Sequence, residues 1–356
     1  MILTFTLFAC APETVDLSAD DLFTLRDPPP TLIDDQGQYQ GGWYNGPIET
    51  LNTEASTGPP GDFKRFLHVQ FDDPDWFVVG NIADMGSASN VALLAVEKAT
   101  GTFHDVSLSG LFADNRVEVN PAHTRFTDPT THSTLTLEDG ALTMDLHAEG
   151  LDLVGTASPA FDALFTQVTR FHPGHGSYQT WGIVSVDALT LTVDGQDIAL
   201  APGSFGAYDR TLGHQRRAQS WNWLATAGMA TDVDTGDVVP FALQFGKDRE
   251  DARPQVEGLK YPAWAGEDFG KVTEVDFDYT ADPETRETGE WRITGPEVDL
   301  RFVPEHHRRE RVGQIWIAET DFNQYYGTLS GTFTLAGRTW QVDEVFAVCE
   351  ESLIRL

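Results

Sequence analysis

The chain has 356 residues, 40% hydrophobic and 11% aromatic, which supplies a sizeable core and argues against global disorder. It carries 55 acidic and 23 basic residues, a formal net charge of −32, so its surface repels nucleic-acid phosphates and anionic membranes, and neither is an expected partner. Its two cysteines, Cys10 and Cys349, exclude a disulfide framework and a zinc site made of thiolates alone.

The opening MILTFTLFAC is an apolar run too short to span a bilayer. It ends on Ala9-Cys10, much as a bacterial lipoprotein signal ends on a small residue before the lipidated cysteine. No basic residue precedes it, and Phe8 is bulky for such a signal. The run predicts an exported, periplasmic or cell-surface protein. On this expectation Cys10 would be the lipidation site and a lipid anchor the only membrane contact, with residues 1–30 as a leader and extended tether. The competing reading is a cytoplasmic protein with a misplaced start.

From there the dominant period is two, the spacing of a half-buried strand. FKRFLHVQFDDPDWFVVGNIADMG and NVALLAVEKATGTFHDVSLSG read as strands. Ser133 to Gly155 alternates on both sides of Asp139-Gly140, and the next segments do so around Asp194-Gly195 and Ala336-Gly337. Asp-Gly is a strong hairpin signal because a type I′ turn needs positive φ at both central residues. SPAFDALFTQVTRF predicts a short helix, with Ser158 as cap and Pro159 in its first turn. EVDFDYTADPETRETGEWRITGPEVDLRFVP adds later strands. No βαβ alternation occurs, so the class is all-β, antiparallel barrels or sandwiches with few short helices. A boundary at APGSFG divides the body into domains 31–202 and 203–356.

Several motifs are absent: the G-x-S-x-G elbow, H-E-x-x-H, the P-loop and G-x-G-x-x-G after a strand. His172 and His175 in FHPGHGSY have an HxxH spacing, but Pro and Gly between them indicate a loop, and only His214 or His68 can extend the set. DVDTGD at Asp232–Asp237 lacks the later ligands of a calcium loop and reads as a hairpin turn. No metal and no organic cofactor is expected. HHRRERV, His306 to Val312, reads as a solvated strand end or a partner for nearby acids.

SYQTWGIVSVDALTLTVDGQDIALAPGSFGAYDRTLGHQRRAQSWNWLATAG carries an aromatic pair, a Asp-Gly hairpin, an Asp-Arg element at Asp209-Arg210, and a tryptophan strand, WNWLATAG. In this it resembles the carotenoid hydratase (hydroxyneurosporene synthase) group. FKRFLHVQFDDPDWFVVGNIADMG and the tail FNQYYGTLSGTFTLAGRTWQVDEVFAVCEESLIRL resemble a related bacterial branch, so the likeness covers roughly residues 60–356. It implies two lipocalin-like β-barrels in tandem. It also implies action on polyenes or other hydrophobic molecules without a cofactor. The sequence departs from the hydratases in Thr211-Leu212-Gly213 after the Asp-Arg element and in Tyr208 before it.

Addition of water to a polyene begins with protonation of a double bond, which needs a carboxyl group held in its acid form by an apolar pocket. Asp209 is the candidate acid. Tyr178, Trp181, Tyr208, Trp221 and Trp223 are candidate ligand-binding residues whose π faces suit a developing cation. Arg210 and His214 are candidate orienting or structural groups. The bland alternative is a structural Asp209–Arg210 pair closing a barrel end, with the tryptophans in a core. Glu350 and Glu351 sit on the last strand, where alternation turns one toward a cavity and the other toward solvent. Three functions stay open: a carrier of a small hydrophobic molecule, a cofactor-free hydratase, cyclase or isomerase, and a structural surface protein.

Overall fold

The computed structural model describes residues 25–86, 88–111, 116–119, 123–128, 131–161, 164–216, 218–248, 259–315 and 318–355. Two curled antiparallel sheets make up two lipocalin-like barrels in tandem. The first sheet runs in space from Thr102–Leu111 through Ala88–Glu97, Trp76–Asp84, Phe63–Asp72, Phe205–His214 and His175–Val193 to Leu151–Pro159 and the hairpin strands before it. The second runs from Asp268–Lys271 and Pro262–Ala265 through Val238–Asp248, Ala218–Asp232, Arg338–Arg355, Ala318–Leu335 and Val298–Ile315 to Trp291–Gly295 and Asp276–Asp278. Helical structure among the described residues is confined to the 3-10 turns Thr53–Ala55 and Pro60–Asp62.

The predicted hairpins are present. Asp139-Gly140, Asp194-Gly195 and Ala336-Gly337 all have positive φ at both central residues, as a type I′ turn requires. Asp232–Asp237 is also a hairpin turn, in which the Asp232 carboxylate accepts the backbone N–H groups of Asp234 and Thr235.

Three expectations are corrected. The predicted helix at SPAFDALFTQVTRF is instead the end of the strand Leu151–Pro159 and all but the last residue of the strand Phe165–His172. Phe165 and Val168 meet apolar neighbours from the adjoining strand, Trp181 and Tyr178, so lateral pairing overrides the short helical signal. The change of sheet falls after the strand Phe205–His214 and before the strand Ala218–Asp232, beyond the expected 202/203 boundary. Phe205–His214 is the central strand that joins His175–Val193 to Phe63–Asp72 in the first sheet, and APGSFG is a turn within that barrel. The end of the expected tether is also part of the body, since Leu25 packs between the barrels and Arg26 donates to the Gly41 carbonyl. Cys10 lies outside the described residues.

Each barrel has its own apolar interior. Leu67, Val69, Phe71, Val184 and Tyr208 contribute to the first, and Phe241, Leu243, Trp291 and Tyr325 to the second. Two further clusters lie between the barrels. One joins Trp43, Phe165, Trp181 and Ala207 to Ala227, Ala242 and Trp264. The other joins Phe77, Val79, Leu94 and Val96 to Trp223, Tyr326, Phe346 and Val348. Strands along this seam are therefore buried on both faces, which explains why their apolar and polar residues do not simply sort into core and solvent.

Candidate active site

Alternation along Phe205–His214 divides the predicted site. Tyr208 points into the first barrel. Arg210 follows it, donating from Nε to Thr180 Oγ1 at 3.0 Å, from one terminal nitrogen to Thr124 Oγ1 at 2.8 Å and from the other to Tyr178 Oη at 3.0 Å. Its guanidinium also lies over the Tyr178 ring, 5.3 Å from the centroid. Arg210 is thus a buried strut inside the barrel. Gly182 makes room for this arrangement, because a Cβ there would meet the Tyr208 ring at 2.7 Å.

Asp209 belongs to the opposite face, directed at the second barrel. It is 5% exposed and accepts a hydrogen bond from Thr211 Oγ1 at 3.1 Å. Gln179 in turn donates to Thr211 at 2.9 Å. The residues paired beside Asp209 are Trp181 on one strand and His68 on the other. His68 meets Trp223 of the second barrel edge to face, at 5.3 Å between ring centroids.

Glu350, on the last strand of the second barrel, is near enough to feel the Asp209 charge. Its two carboxyl oxygens each accept one hydrogen bond, from Trp221 Nε1 at 2.8 Å and from Gln324 Nε2 at 2.8 Å. Gln324 is oriented by Arg308 at 2.5 Å and by the Tyr326 hydroxyl at 3.0 Å, both donating to its amide oxygen. Arg308 crosses the seam to pair with Asp105 of the first barrel at 3.1 Å, and it also pairs with Glu310. Ser107 of the first barrel donates to the same Glu310 carboxylate. HHRRERV is therefore mid-strand rather than a strand end, and its arginines do partner nearby acids, Arg309 through Asp321.

The electrostatics follow from burial. Removing Glu350 from water pushes its carboxyl up to about 7, against the pull of the Trp221 and Gln324 hydrogen bonds, and the Asp209 charge adds to the rise. Burial pushes His68 down to about 4, so its imidazole is neutral at pH 7. The Gln70 amide nitrogen and the Gln244 amide oxygen, a donor and an acceptor on facing barrels, are buried without a hydrogen-bond partner. The seam thus combines an acid raised toward neutral pH, a second carboxyl group, a neutral imidazole and three tryptophans. Such a set can give a proton to, and take one from, a bound apolar molecule.

These groups predict opposed slopes of stability with pH. Glu350 binds its proton more tightly folded than unfolded, so its contribution is present at low pH and lost as pH rises from about 4.5 to about 7. His68 does the reverse, contributing above 6.5 and losing that contribution as pH falls toward about 4. Each effect amounts to ~3 kcal/mol over its full range. Relative to wild type, Glu350→Gln is expected to gain stability as pH rises through this window, and His68→Gln to lose it. Urea unfolding of the three proteins at closely spaced pH values checks both signs.

Of the predicted residues, the seam brings together Asp209, Trp181, Trp223 and, through Glu350, Trp221. It does not include Tyr178, Tyr208 or Arg210, which sit on the other face of their strands. His214 is also elsewhere, its Nδ1 2.9 Å from the Tyr39 hydroxyl. His175 meets Asp62 at 2.9 Å. Among the described residues, no group of three or more His, Cys, Asp or Glu is arranged to hold a metal ion. Glu351 is a further correction, because it is buried and paired with Arg286 rather than turned to solvent. Glu350, Gln324, Arg308 and the facing glutamines are the residues that motif reading did not assign. Strand alternation separates Glu350 from Glu351 without saying which of them faces the seam, and their partners come from distant strands.

Fold and seam together define a two-barrel, lipocalin-like protein with a titratable layer between its barrels. The family model described as a domain of unknown function, DUF2804, matches residues 24–356, and the chain belongs to that family. Two solved structures are similar at low identity. Kievitone hydratase from Nectria haematococca is 13% identical, with a TM-score of 0.45 over 93% of this chain and 97% of that one. An ATTH candidate from Nitrosomonas europaea is 13% identical, with a TM-score of 0.49 over 83% of this chain and 94% of that one. No curated protein matches the chain.

Proposed function

We propose that the protein binds a small unsaturated hydrophobic molecule, such as a polyene, isoprenoid or other lipid-like compound, between its barrels. There it acts as a cofactor-independent hydratase, cyclase or isomerase. The observation that carries this reading is a carboxyl group, Glu350, buried between the barrels and held by Trp221 and Gln324 against an aromatic seam, where exclusion of water raises it to about 7. A carboxylic acid present in both forms at neutral pH is suited to reversible proton transfer.

In the hydration direction, protonated Glu350 gives its proton to one carbon of a double bond. The π pair forms the new C–H bond and leaves a cation on the neighbouring carbon. The Trp181 and Trp223 faces and the Asp209 carboxylate favour that cation. A water oxygen then bonds to it and releases a proton to Asp209, and exchange with solvent restores the two carboxyl groups. Loss of a proton from the cation instead gives an isomer, and attack by a second double bond gives a ring. Trp221 and Phe322, half-buried and 6.3 Å apart between ring centroids, form the rim through which a ligand enters. Export with a lipid anchor at Cys10 belongs to the same reading and rests on the MILTFTLFAC run.

Incubation of the protein with a lipid extract, followed by mass spectrometry of bound and released molecules, tests the proposal. The expected result is enrichment of an unsaturated apolar compound together with its hydrated or isomerised product. Recovery of the bound compound unchanged after prolonged incubation supports a carrier instead, and no selective retention removes the seam as a ligand site.

A further inference from the structure

Proton transfer at Glu350 leaves the side chains of Gln70 and Gln244 unused. Strand alternation turns both into the seam. On Phe63–Asp72, Leu67, Val69 and Phe71 belong to the first barrel's interior, so Gln70 points out of it. On Val238–Asp248, Leu243 and Phe245 belong to the second interior, so Gln244 points out of that one. Gln70 is paired across the sheet with Ala207, and the Gln244 amide nitrogen donates to the carbonyl of the next residue, Tyr208, at 3.3 Å. Adjacent strands lie about 4.8 Å apart, so the two amides, from facing barrels, stand over the same short segment of Phe205–His214.

Each amide is half used. Gln70 turns Oε1 toward His68 Nε2, 3.5 Å away, and its own Nε2 has no acceptor. Gln244 spends Nε2 on Tyr208, and its Oε1 has no donor. The two residues are 1% and 2% exposed. Their cross-strand partners, Ala207 and Ala225, have no polar side-chain atom to offer them. A buried polar atom left unpaired costs more than an ordinary hydrogen bond returns, so apolar side chains at these two positions would make the more stable seam.

We propose that the ligand of the seam carries a hydroxyl group, which accepts from Gln70 Nε2 and donates to Gln244 Oε1, so that the two glutamines select an unsaturated alcohol over a hydrocarbon of the same skeleton. This rests on the seam being the ligand site and adds which end of the molecule it reads. A ketone, ether or ester only accepts and leaves Gln244 unmet, while an ammonium only donates and leaves Gln70 unmet. A carboxylate only accepts, and it also meets the Asp209 side chain, which shares a strand face with Ala207. A hydroxyl is the smallest neutral group that does both.

The test titrates the full chain with farnesol, farnesyl methyl ether and farnesene, and follows quenching of tryptophan fluorescence. Farnesol is expected to bind about tenfold or more tightly than either analogue, because each analogue leaves a buried amide atom unpaired. In Gln70→Met the preference is expected to vanish, farnesol falling to the level of its ether while farnesene binds at least as well as before. The urea midpoint of that variant is expected to be no lower than that of wild type, since an unpaired donor has been removed. Equal binding of farnesol and either analogue overturns the selection for a hydroxyl and leaves the seam standing as an apolar site. Equal weakening of all three probes by Gln70→Met, with a lower midpoint, overturns it by making Gln70 a structural residue. Binding of none of the three removes the seam as a ligand site, and this inference with it.

Discussion

Replacing Glu350 by glutamine is expected to lower turnover by about 10²- to 10⁴-fold, the usual contribution of a positioned general acid, while capture of the apolar ligand persists. Glutamine keeps the shape and keeps an amide oxygen that can accept from Trp221 or Gln324. It cannot give up a proton near neutral pH. The measurement is product formation from the compound enriched out of the lipid extract, run beside a binding assay on the same variant. Asp209→Asn provides the comparison. It removes the charge that adds to the rise in Glu350. If Asp209 takes the proton from water, turnover falls while binding stays nearly intact. Unchanged turnover in Glu350→Gln would remove that carboxyl from the mechanism, and unchanged turnover in Asp209→Asn would do the same for the second.

The second large effect is expected at Arg308. This residue is 8% exposed and joins the barrels through Asp105, while holding Glu310 and Gln324 on its own side. Arg308→Met keeps much of the apolar stem and leaves two acids beside each other without their cation. Breaking a buried pair from one side costs 3–5 kcal/mol in general, but Asp105 and Glu310 are 26% and 35% exposed, so a loss of about 2–3 kcal/mol is expected. The urea midpoint reports it. Turnover carries a second signature, since Arg308 lowers the Glu350 carboxyl. Its removal is expected to shift the basic limb of the pH–rate profile upward. A variant with unaltered midpoint and unaltered limb would mean that Arg308 neither clamps the barrels nor tunes the acid.

Much of the architecture was legible because it depends on local rules. Period-two alternation marks strands, and an Asp-Gly pair marks a turn whose positive φ few residues tolerate. The failure at SPAFDALFTQVTRF is instructive for the same reason. Ser158 and Pro159 satisfy a helix start locally, but Phe165 and Val168 gain more by pairing with Trp181 and Tyr178 than one short helix could offer. The boundary was misplaced because APGSFG has the composition of a linker, whereas Phe205–His214 is a strand with two buried faces that binds the first sheet together.

For the site, the sequence by itself determined which side chains share a face. Asp209 and Arg210 are adjacent on a strand and so must diverge, and Trp221 and Trp223 must lie on the same side. It also determined that the last strand carries two carboxyl groups of which alternation turns one to each face. Only the tertiary structure decided what those faces meet. Glu350 is separated by more than a hundred residues from Trp221, and His68 from Trp223, and no local pattern encodes contacts of that range. The rise of the Glu350 carboxyl has the same origin. It comes from exclusion of water where two barrels close on one another, a property of the packed seam and not of the residue or its neighbours in sequence.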